Sequence, residues 1–588
     1  MPSCPFKKLS FLLAIASSVG AAWAAGPEAK PLTVSPVNPA FLAHFRYDRH
    51  ATTLFGRMIA KPKRSFGWMP SPVDLPPAKG PVFRHARAAG FPAAYDLRSL
   101  QQVSPIRNQR PWGSCWLHAA LASLESSQLK SGHGGSDLSE WHLGWFAFNW
   151  FPGTDPYSPP LAGYSWEPKS GENPYDIGGY DGMAVATLAK GAGAVYETDS
   201  PYQRNTPYPA SSLPSGWEPT RVKLQQALFV RSKWWDTDPS SPIIDPADVK
   251  SALMTYGALS VGIAVDDYMY FEKDVVDGIP GTTYNPATRA YRDVTSAITD
   301  TNHAVDIVGW DDNYPASNFH TGGRPSANGA WIVRNSWGTE WGDSGYFYMS
   351  YDSHIFDGVA YVNSEKIYDR IYQYDPLGWL RSIGFSSTTA SFANVFTAKD
   401  DDRITAISLY TTDANTSYAI RVLTDVGADP STGTLASGFP QSGRFDAPGY
   451  RMVDLDHPVS VTRGQKFAIV VTVTNPTSET PIPIEWPDWD MRSDTATANP
   501  GESFVSRDGE TWTDLVTVTS PIDCTQTNVC LKAFAVTPTV RDLDSDGKTD
   551  VKDLAVLSAN YGALPQAGDL NGDGVVDDKD IAFWFQGF

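Results

Sequence analysis

The chain has few cysteines and few basic residues for its length. Only four of its 588 residues are cysteine, and 46 lysines and arginines stand against 65 aspartates and glutamates, a net charge of −19. So acidic a chain argues against nucleic acid or an anionic membrane as a partner. The sequence also lacks a His-Glu-x-x-His zinc motif and a phosphate-binding glycine loop. Beyond the N-terminus, no apolar run approaches the ~20 residues that span a bilayer.

The N-terminus predicts export. Two lysines precede an apolar run over residues 9–19, and the small-residue pattern Ala-Trp-Ala follows. This is the pattern of a signal peptide cleaved near Ala24, and its apolar run is too short to cross a bilayer. We therefore expect residues 1–24 to be removed and the mature protein to be secreted.

Cys115 stands alone in the middle of the chain and begins a helical pattern. Apolar residues follow at helical spacing, and the segment ends at Gly132, a typical helix stop. The thiol should lie in the first turn, where unpaired N–H groups and the dipole favour a thiolate. The dipole contributes at most about 2 kcal/mol, roughly 1.5 pKa units, so a charged partner such as His303 is needed. A thiolate–imidazolium pair is the activated nucleophile that amide cleavage requires.

Two amides complete this chemical set. Gln109 lies six residues before Cys115, and Asn335 begins an Asn-Ser-Trp-Gly sequence. One amide can orient an imidazole, and another can donate to the oxyanion of a tetrahedral intermediate. Each of them alone would be read as a surface amide, and only the spacing gives them a role. His118 is a second candidate base, but a base so close to Cys115 would point along the helix, so we expect a core or surface histidine.

Several motifs follow one another in a recognisable order. They are Asp96-Leu97-Arg98, Gly113-Ser114-Cys115-Trp116, Gly178-Gly179-Tyr180, Asn302-His303-Ala304 and Asn335-Ser336-Trp337-Gly338. This order resembles the papain-like cysteine proteases, whose signature around the nucleophile it matches. The resemblance covers residues 91–365 and implies an α+β papain-like catalytic domain with cysteine endopeptidase activity and no catalytic cofactor.

The resemblance also implies a role for each matching residue. Cys115 would be the nucleophile, His303 the general base and then acid, and Asn335 the residue that fixes the imidazole. Gln109 would donate its side-chain amide to the oxyanion beside the Cys115 N–H. Trp337 would shield the His–Asn hydrogen bond from water. The implied substrate-binding residues are Gly178, Gly179, Tyr180, Ala304 and Trp337.

Residues 25–90 are rich in proline and alanine and show little helical periodicity. The long helical prosegment usual in papain relatives is not recognisable here. Residues 70–75 read as an extended segment, and an extended segment could lie along the cleft. We interpret residues 25–90 as a short propeptide or N-terminal extension, removed near Phe91.

Residues 366–536 differ in composition, with short alternating runs rich in Thr, Val, Ser and Asp. These runs predict strands separated by turns, and the length suits one β-sandwich. The segment resembles the lectin-like domain appended to some bacterial and archaeal papain-like proteases. That implies a carbohydrate ligand, although a structural or substrate-positioning role is an equal alternative. Cys524 and Cys530 either close a small loop as a disulfide in an oxidising compartment or remain two buried thiols.

Residues 537–588 contain a repeat with a period of 27 residues. A 12-residue pattern with side-chain oxygens at positions 1, 3, 5, 9 and 12 and glycine at position 6 occurs twice, as in EF-hand calcium loops. An apolar helical pattern follows each loop. The arrangement resembles dockerin, a small α calcium-binding module, and implies two Ca²⁺ ions and a cohesin partner. The predicted calcium ligands are Asp542, Asp544, Asp546, Asp550, Asp553, Asp569, Asn571, Asp573, Asp577 and Asp580.

The sequence therefore predicts a multidomain, secreted cysteine endopeptidase that acts on proteins or peptides. Its dockerin would attach it to a surface or multienzyme scaffold through a cohesin-bearing partner. Two alternatives remain: a catalytically minor binding or inhibitory papain-like protein, and an acyltransferase that uses the same Cys-His-Asn triad. The intact chemical set favours the peptidase over the binding protein, and product analysis with an added amine separates it from the acyltransferase.

Overall fold

The two largest hydrophobic cores of the described residues differ in extent: the first fills the predicted peptidase domain and continues into the β-rich segment, and the second lies mainly within that segment. The structure is a computed structural model. The residues that it describes are 31–44, 66–75, 90–135, 137–151, 161–166, 173–204, 222–230, 244–272, 282–294, 301–364, 368–537, 543, 550–562, 568, 570 and 575–585. The predicted signal peptide, residues 1–24, lies outside the described residues.

Helix α1, Cys115–Ser131, crosses the first core. Every side chain from residue 115 to 128 is buried, because apolar and small residues recur on all of its faces. The helix ends at Gly132, which has a φ of 86°, the left-handed conformation in which glycine terminates helices. The predicted start at Cys115 and the predicted stop at Gly132 are both confirmed.

Residues 39–44 are also helical, and the other α-helices bounded within the described residues are shorter than α1. They are α2 (Glu140–Phe148), α3 (Asp181–Thr187), α4 (Pro246–Tyr256), α5 (Asp267–Tyr270), α6 (Val551–Ala559) and α7 (Asp578–Phe585). The Ser139 side chain caps α2 by accepting the His142 N–H. Asp245 caps α4 by accepting the Ala247 N–H, and Pro246 is the first residue of that helix; both are typical helix starts. Over the residues that the structure describes, no helix is long and apolar enough to cross a membrane.

The strands are numbered in chain order. They are β1 (Thr33–Val34), β2 (Ala94–Asp96), β3 (Lys223–Val230), β4 (Leu259–Ala264), β5 (Thr282–Asn285), β6 (Ala290–Asp293), β7 (Thr301–Asp311), β8 (Ala330–Arg334), β9 (Tyr346–Ser350), β10 (Phe356–Ser364), β11 (Arg370–Tyr372), β12 (Arg381–Gly384), β13 (Thr389–Thr397), β14 (Asp402–Thr411), β15 (Thr416–Thr424), β16 (Thr434–Leu435), β17 (Gln441–Phe445), β18 (Gly449–Val461), β19 (Lys466–Thr474), β20 (Ile482–Ile484), β21 (Ser503–Ser506), β22 (Thr513–Asp514) and β23 (Leu531–Val536).

One sheet runs through both the predicted peptidase domain and the β-rich segment. Its order is β11-β23-β14-β18-β3-β10-β4-β7-β8-β9-β6-β5, with β2 beside β7. The two parts join where residues 449–451 of β18 lie antiparallel to residues 226–228 of β3. Gly449 has a φ of 126°, and a Cβ there would lie 2.1 Å from the Ala227 carbonyl oxygen. Glycine is therefore required at this junction.

The β-rich segment forms the predicted sandwich. Its second sheet has the order β16-β15-β19-β13-β21-β22, with β17 beside β15. Alternate residues of β13 and β19 face the second core, where they meet alternate residues of β14 and β23. The alternating pattern of the sequence thus places one apolar face of each strand inside, and the predicted all-β architecture is confirmed.

Cys524 and Cys530 are both free and buried. Cys524 packs in the second core, whereas Cys530 packs in the first. The structure therefore corresponds to two buried thiols and not to the disulfide alternative, because each side chain fills space in a different core.

Candidate active site

The Cys115 thiol lies where α1 begins beside β7. Cys115 is the first residue of α1, and His303 lies near the start of β7. The Ala304 N–H donates to the Cys115 sulfur at 3.2 Å, so the residue next to His303 touches the thiol. Both Cys115 and His303 are fully buried. The fold thus brings together two of the predicted catalytic residues that are far apart in sequence.

Asn335 fixes the His303 ring. The Nε2 atom of His303 and the Asn335 Oδ1 are 2.8 Å apart, and because an amide oxygen only accepts, Nε2 donates. The same oxygen accepts the Ser336 N–H at 2.8 Å, which fixes the amide orientation. In the neutral ring, Nδ1 is then the basic nitrogen, and it is buried without a hydrogen-bond partner among the described residues. The ring is oriented to accept a proton at Nδ1.

Trp337 covers the His303–Asn335 hydrogen bond. Its ring stacks on the His303 ring, with centroids 4.7 Å apart and an interplanar angle of 18°. Trp337 is buried and is held edge-on by Trp341 at 4.9 Å. A hydrogen bond shielded from water is electrostatically stronger than an exposed one, so the predicted shielding role of Trp337 matches its position.

The Gln109 side-chain amide lies beside Cys115 and is held in place by Ser336. The Gln109 Oε1 accepts the Ser336 hydroxyl at 2.7 Å. Its Nε2 donates to the Phe66 carbonyl oxygen at 2.9 Å, and the Cys115 N–H donates to the same oxygen at 3.4 Å. Two donors that converge on one carbonyl oxygen beside a nucleophile have the arrangement of an oxyanion hole.

The oxygen that occupies this oxyanion hole is the Phe66 carbonyl oxygen, which belongs to the protein's own N-terminal segment. Residues 66–71, the cleft segment, pass over the predicted substrate-binding glycines. The Gly179 N–H donates to the Gly67 carbonyl at 2.8 Å, and the Met69 N–H donates to the Gly179 carbonyl at 3.0 Å, a parallel pairing. Gly178 has a φ of 82°, and a Cβ there would lie 2.8 Å from the Gly67 oxygen. The glycine pair therefore allows backbone to approach backbone in the cleft.

The cleft segment runs opposite to the direction that cleavage needs. The Phe66 ring lies 5.2 Å from His303 and 5.0 Å from Trp337 between centroids. Gly67, which follows the Phe66 carbonyl, instead pairs with Gly179. A departing amine must take its proton from the imidazole, so in a productive complex the residue after the scissile carbonyl lies on the His303 side. The Phe66–Gly67 peptide bond therefore runs in the direction opposite to that of a scissile bond in a productive complex.

Burial in this arrangement favours the neutral forms of the Cys115 thiol and the His303 imidazole. Burial raises the pKa of the Cys115 thiol far above its ordinary value, and the Ala304 N–H opposes this only in part. Burial also lowers the pKa of His303 to about 3, against the opposing hydrogen bond to Asn335. The thiolate–imidazolium pair therefore remains a prediction for the open, hydrated cleft.

Of the remaining residues considered in the sequence, Ala304 lies next to the sulfur, whereas Tyr180 and His118 lie in the core. Ala304 is buried next to the sulfur. The Tyr180 ring is buried between Phe41 and Tyr164, each at 6.5 Å, so its neighbours are core rings. The Nδ1 atom of His118 contacts the Ser114 carbonyl at 3.0 Å, and burial lowers the pKa of His118 to about 3. It is a core histidine, one of the two expected outcomes.

Phe66 and Gly67 lie outside the motifs of the sequence, and Ser336 belongs to the Asn335-Ser336-Trp337-Gly338 motif without a predicted role of its own. Ser336 holds Gln109 and also donates its N–H to Asn335, so it links two of the predicted residues. The available signal for the cleft segment was a glycine between two aromatic residues in a proline-rich stretch. A glycine in such a pattern permits close approach to another backbone. The sequence alone does not identify which backbone that is.

The described residues of the C-terminal repeat show two equivalent loop closures. In each loop the carboxylate at position 12 accepts the N–H groups of positions 2 and 9, all at 2.7 Å. These carboxylates, Asp553 and Asp580, are fully buried. The position 9 carboxylates, Asp550 and Asp577, accept N–H groups from the first turns of α6 and α7. A carboxylate at position 12 is also the last ligand of an EF-hand calcium loop.

Six of the predicted calcium ligands lie outside the described residues: Asp542, Asp544, Asp546, Asp569, Asn571 and Asp573. The part of the chain that the structure describes contains no group of His, Cys, Asp and Glu able to hold a metal ion. The fit to calcium therefore depends on the loop closures and on the spacing of the ligands in the sequence.

Two parts of the chain match known protein families. Residues 91–143 and 176–368 match the papain family cysteine protease, and residues 371–535 match the lectin like domain. Peptidase 1 of Dermatophagoides farinae is 26% identical over 265 residues, which are 45% of this chain and 62% of that protein. Cathepsin L2 of Homo sapiens is 25% identical over 286 residues, 48% of this chain and 67% of that protein. The chain thus spans less than two thirds of the first relative.

Solved structures cover more of the chain. The cysteine protease and lectin-like domains of Cwp84, a surface layer associated protein of Clostridium difficile, match with a TM-score of 0.66 at 25% identity, over 86% of this chain and 98% of that one. A structure of clostridial Cwp84 after propeptide cleavage matches with a TM-score of 0.59 at 27% identity, over 76% of this chain and 99% of that one. This chain therefore carries a papain-like, cysteine-type peptidase domain followed by a lectin-like domain.

Proposed function

We propose that this protein is a cysteine endopeptidase that hydrolyses peptide bonds through an acyl-enzyme on Cys115. The observation that carries the proposal is the convergence of the Gln109 amide and the Cys115 N–H on one carbonyl oxygen beside an imidazole fixed by Asn335. These groups supply the nucleophile, the base and the oxyanion donors that acyl transfer requires.

In the open cleft these groups act in sequence. The Nδ1 atom of His303 takes the Cys115 proton, and the sulfur attacks the substrate carbonyl. The resulting oxyanion accepts hydrogen bonds from Gln109 and the Cys115 N–H. The C–N bond then breaks, and the amine leaves with the proton from His303. Water, deprotonated by His303, attacks the thioester and releases the acid and the free thiol.

On this proposal the uncut chain is latent. Residues 66–71 fill the oxyanion hole and the glycine-lined cleft, run in the unproductive direction and cover the thiol. Residues 25–90 are then a propeptide, and cleavage between the cleft segment and Phe91 opens the site. The opened cleft admits water, which allows the thiol and the imidazole to become charged.

The test uses processed protein and an unfolded protein substrate under reducing conditions. We expect iodoacetamide to stop cleavage and mass spectrometry to locate the adduct on Cys115. Cys524 and Cys530 should remain unmodified, because both are buried and burial raises the pKa of each thiol. New amino termini would show hydrolysis, whereas products joined to an added amine would identify an acyltransferase. A folded, processed sample that cleaves nothing would contradict the proposal and favour a binding protein.

We further propose that the protein is exported and tethered outside the cell. The leader pattern of residues 1–24 and the duplicated, dockerin-like calcium loops support this, as does the description of Cwp84 as surface layer associated. A cohesin-bearing partner would hold the C-terminal module. The lectin-like domain would then lie close to surface carbohydrate, its proposed ligand.

Chelation of calcium is expected to unfold the C-terminal module and to leave the remainder folded. Nine of the ten predicted ligands are carboxylates, and two of them, Asp553 and Asp580, are fully buried. Without a cation these charges repel one another. A site at a hundredfold excess of Ca²⁺ over its Kd gains about 2.7 kcal/mol of stability. Differential scanning calorimetry should show a separate transition that EGTA lowers and Ca²⁺ raises.

A matched pair of variants controls this measurement. Asp553→Asn removes a predicted ligand at position 12 of the first loop, whereas Asp578→Asn removes a carboxylate at position 10 of the second loop, which is not a predicted ligand. Only Asp553→Asn should reduce the calcium-dependent shift. The calcium sites would be refuted if Ca²⁺ shifted the transition temperature equally in both variants, or if EGTA did not change that temperature.

A further inference from the structure

The N-terminal segment contacts the rest of the protein at two separate places. One is the cleft, where residues 66–71 lie. The other is the lectin-like domain, where β1 pairs antiparallel with β12. The Ser35 N–H donates to the Ser382 carbonyl at 2.7 Å, which extends this pairing. Strand β20 pairs with β12 on its opposite side, so β1 occupies an edge of the lectin-like domain by strand addition.

Side chains reinforce this edge pairing. Leu32 is 7% exposed and belongs to the core of the lectin-like domain, and Val34 packs against that core. The Ser35 hydroxyl accepts the Ser382 N–H at 3.0 Å, and the Ser35 carbonyl accepts from the Arg381 guanidinium. We call residues 32–35 the anchor strand. It has both the backbone pairing and the alternating apolar side chains by which extended peptides are bound at sheet edges.

Asn38 joins the anchor strand to the cleft segment. The Asn38 N–H donates to the Pro72 carbonyl at 3.0 Å, and its side-chain amide donates to the Ser71 carbonyl at 2.9 Å. The Ser71 N–H in turn donates to Asp357 of the peptidase domain at 3.4 Å. Asn38 is 4% exposed. The anchor strand and the cleft segment are therefore parts of one hydrogen-bonded unit that spans both domains.

We propose that the lectin-like domain is part of the inhibitory machinery and that the edge of β12 is a binding site for the propeptide. The proposal rests on the proposed function, since it takes residues 66–71 as the inhibitor. Binding at β12 holds the cleft segment at a high effective concentration. The propeptide consequently stays bound after the chain is cut between residues 75 and 91, and release of the anchor strand sets the rate at which activity appears.

The test follows release of the cut propeptide from the full chain. The chain carries Cys115→Ala, so that no autolysis occurs, and a recognition site for an added protease between residues 75 and 91. Release of a labelled N-terminal fragment is measured by fluorescence after the cut. We expect Leu32→Asp to accelerate release at least tenfold, because a charge cannot replace Leu32 in the core. Leu42→Asp, the matched control, changes a leucine of the same segment that is 37% exposed and should leave the rate unchanged.

A second variant guards against misfolding of the first. Ser35→Pro removes the N–H that donates to Ser382 and keeps Leu32, and it should also accelerate release severalfold. Equal release rates for Leu32→Asp, Ser35→Pro and Leu42→Asp would overturn the proposal. Repeating the experiment with Cys115 intact separates the two hypotheses. Faster release without peptidase activity refutes the proposed function alone, whereas prompt activity at an unchanged release rate refutes the role of the lectin-like domain.

Discussion

Replacing Cys115 with alanine is expected to reduce peptide-bond cleavage by a factor on the order of 10⁵ to 10⁶, the scale on which hydrolases lose activity with their nucleophile. No acyl-enzyme can form without the sulfur, and the oxyanion donors and substrate binding alone retain only a small residual rate. The fold should be unaffected, since alanine fills most of the buried space at the start of α1. The measurement is kcat/KM for an unfolded protein or peptide with processed enzyme.

Cys524→Ala is the matched control for this loss. It makes the same chemical change at a second fully buried thiol, in the lectin-like core. Cleavage by Cys524→Ala should stay within about twofold of the parent rate. Residual cleavage by Cys115→Ala at more than a hundredth of that rate, or an equal loss in both variants, would show that Cys115 is not the nucleophile.

The second large effect is expected at Gly67. Replacing Gly67 with valine should expose the active site of the uncut chain, because a Cβ there would lie 1.7 Å from the Gly113 carbonyl oxygen. The contact is with backbone, so no side-chain rotation relieves it. Gly67 also has a φ of 112°, which costs a branched residue roughly 1 to 3 kcal/mol. The rate at which iodoacetamide alkylates Cys115 in the uncut chain should rise at least a hundredfold.

Gly90→Val is the matched control for Gly67→Val. It places valine at another glycine with a positive φ, but without a steric clash. Gly90 also has a positive φ, 76°, but no atom lies within 4 Å of its Cβ position. The alkylation rate of Gly90→Val should remain that of the parent chain, with gel electrophoresis confirming that the chain is uncut. If Gly67→Val is alkylated as slowly as the parent, the cleft segment does not cover Cys115 in solution.

The candidate site residues could be predicted from the sequence because acyl transfer requires these residue types, and because their order resembles that of the papain-like proteases. The helix that starts at Cys115 could be predicted because its apolar spacing and its terminal glycine are local signals. Gln109 and Asn335 were less obvious, since each is an ordinary amide. Their roles follow from neighbours brought in by the fold, such as Ser336, which contacts both of them.

The cleft segment and its direction could not be predicted in the same way. An extended, proline-rich stretch has no period that identifies its partner, and parallel and antiparallel pairing with Gly179 use the same backbone groups. The pairing of β18 with β3 depends on residues more than two hundred positions apart. Only Gly449 signals this junction in the sequence, and a lone glycine in a strand has several possible causes.

That shared sheet limits how freely the two domains can be exchanged. Cutting the chain near residue 368 would divide it at a boundary of the sequence but would leave the paired edges of β3 and β18 open. Open edges of this kind pair with other copies of themselves and aggregate. The peptidase domain is therefore not a portable module: grafting it onto another protein would require carrying strand β18 along as its missing neighbour.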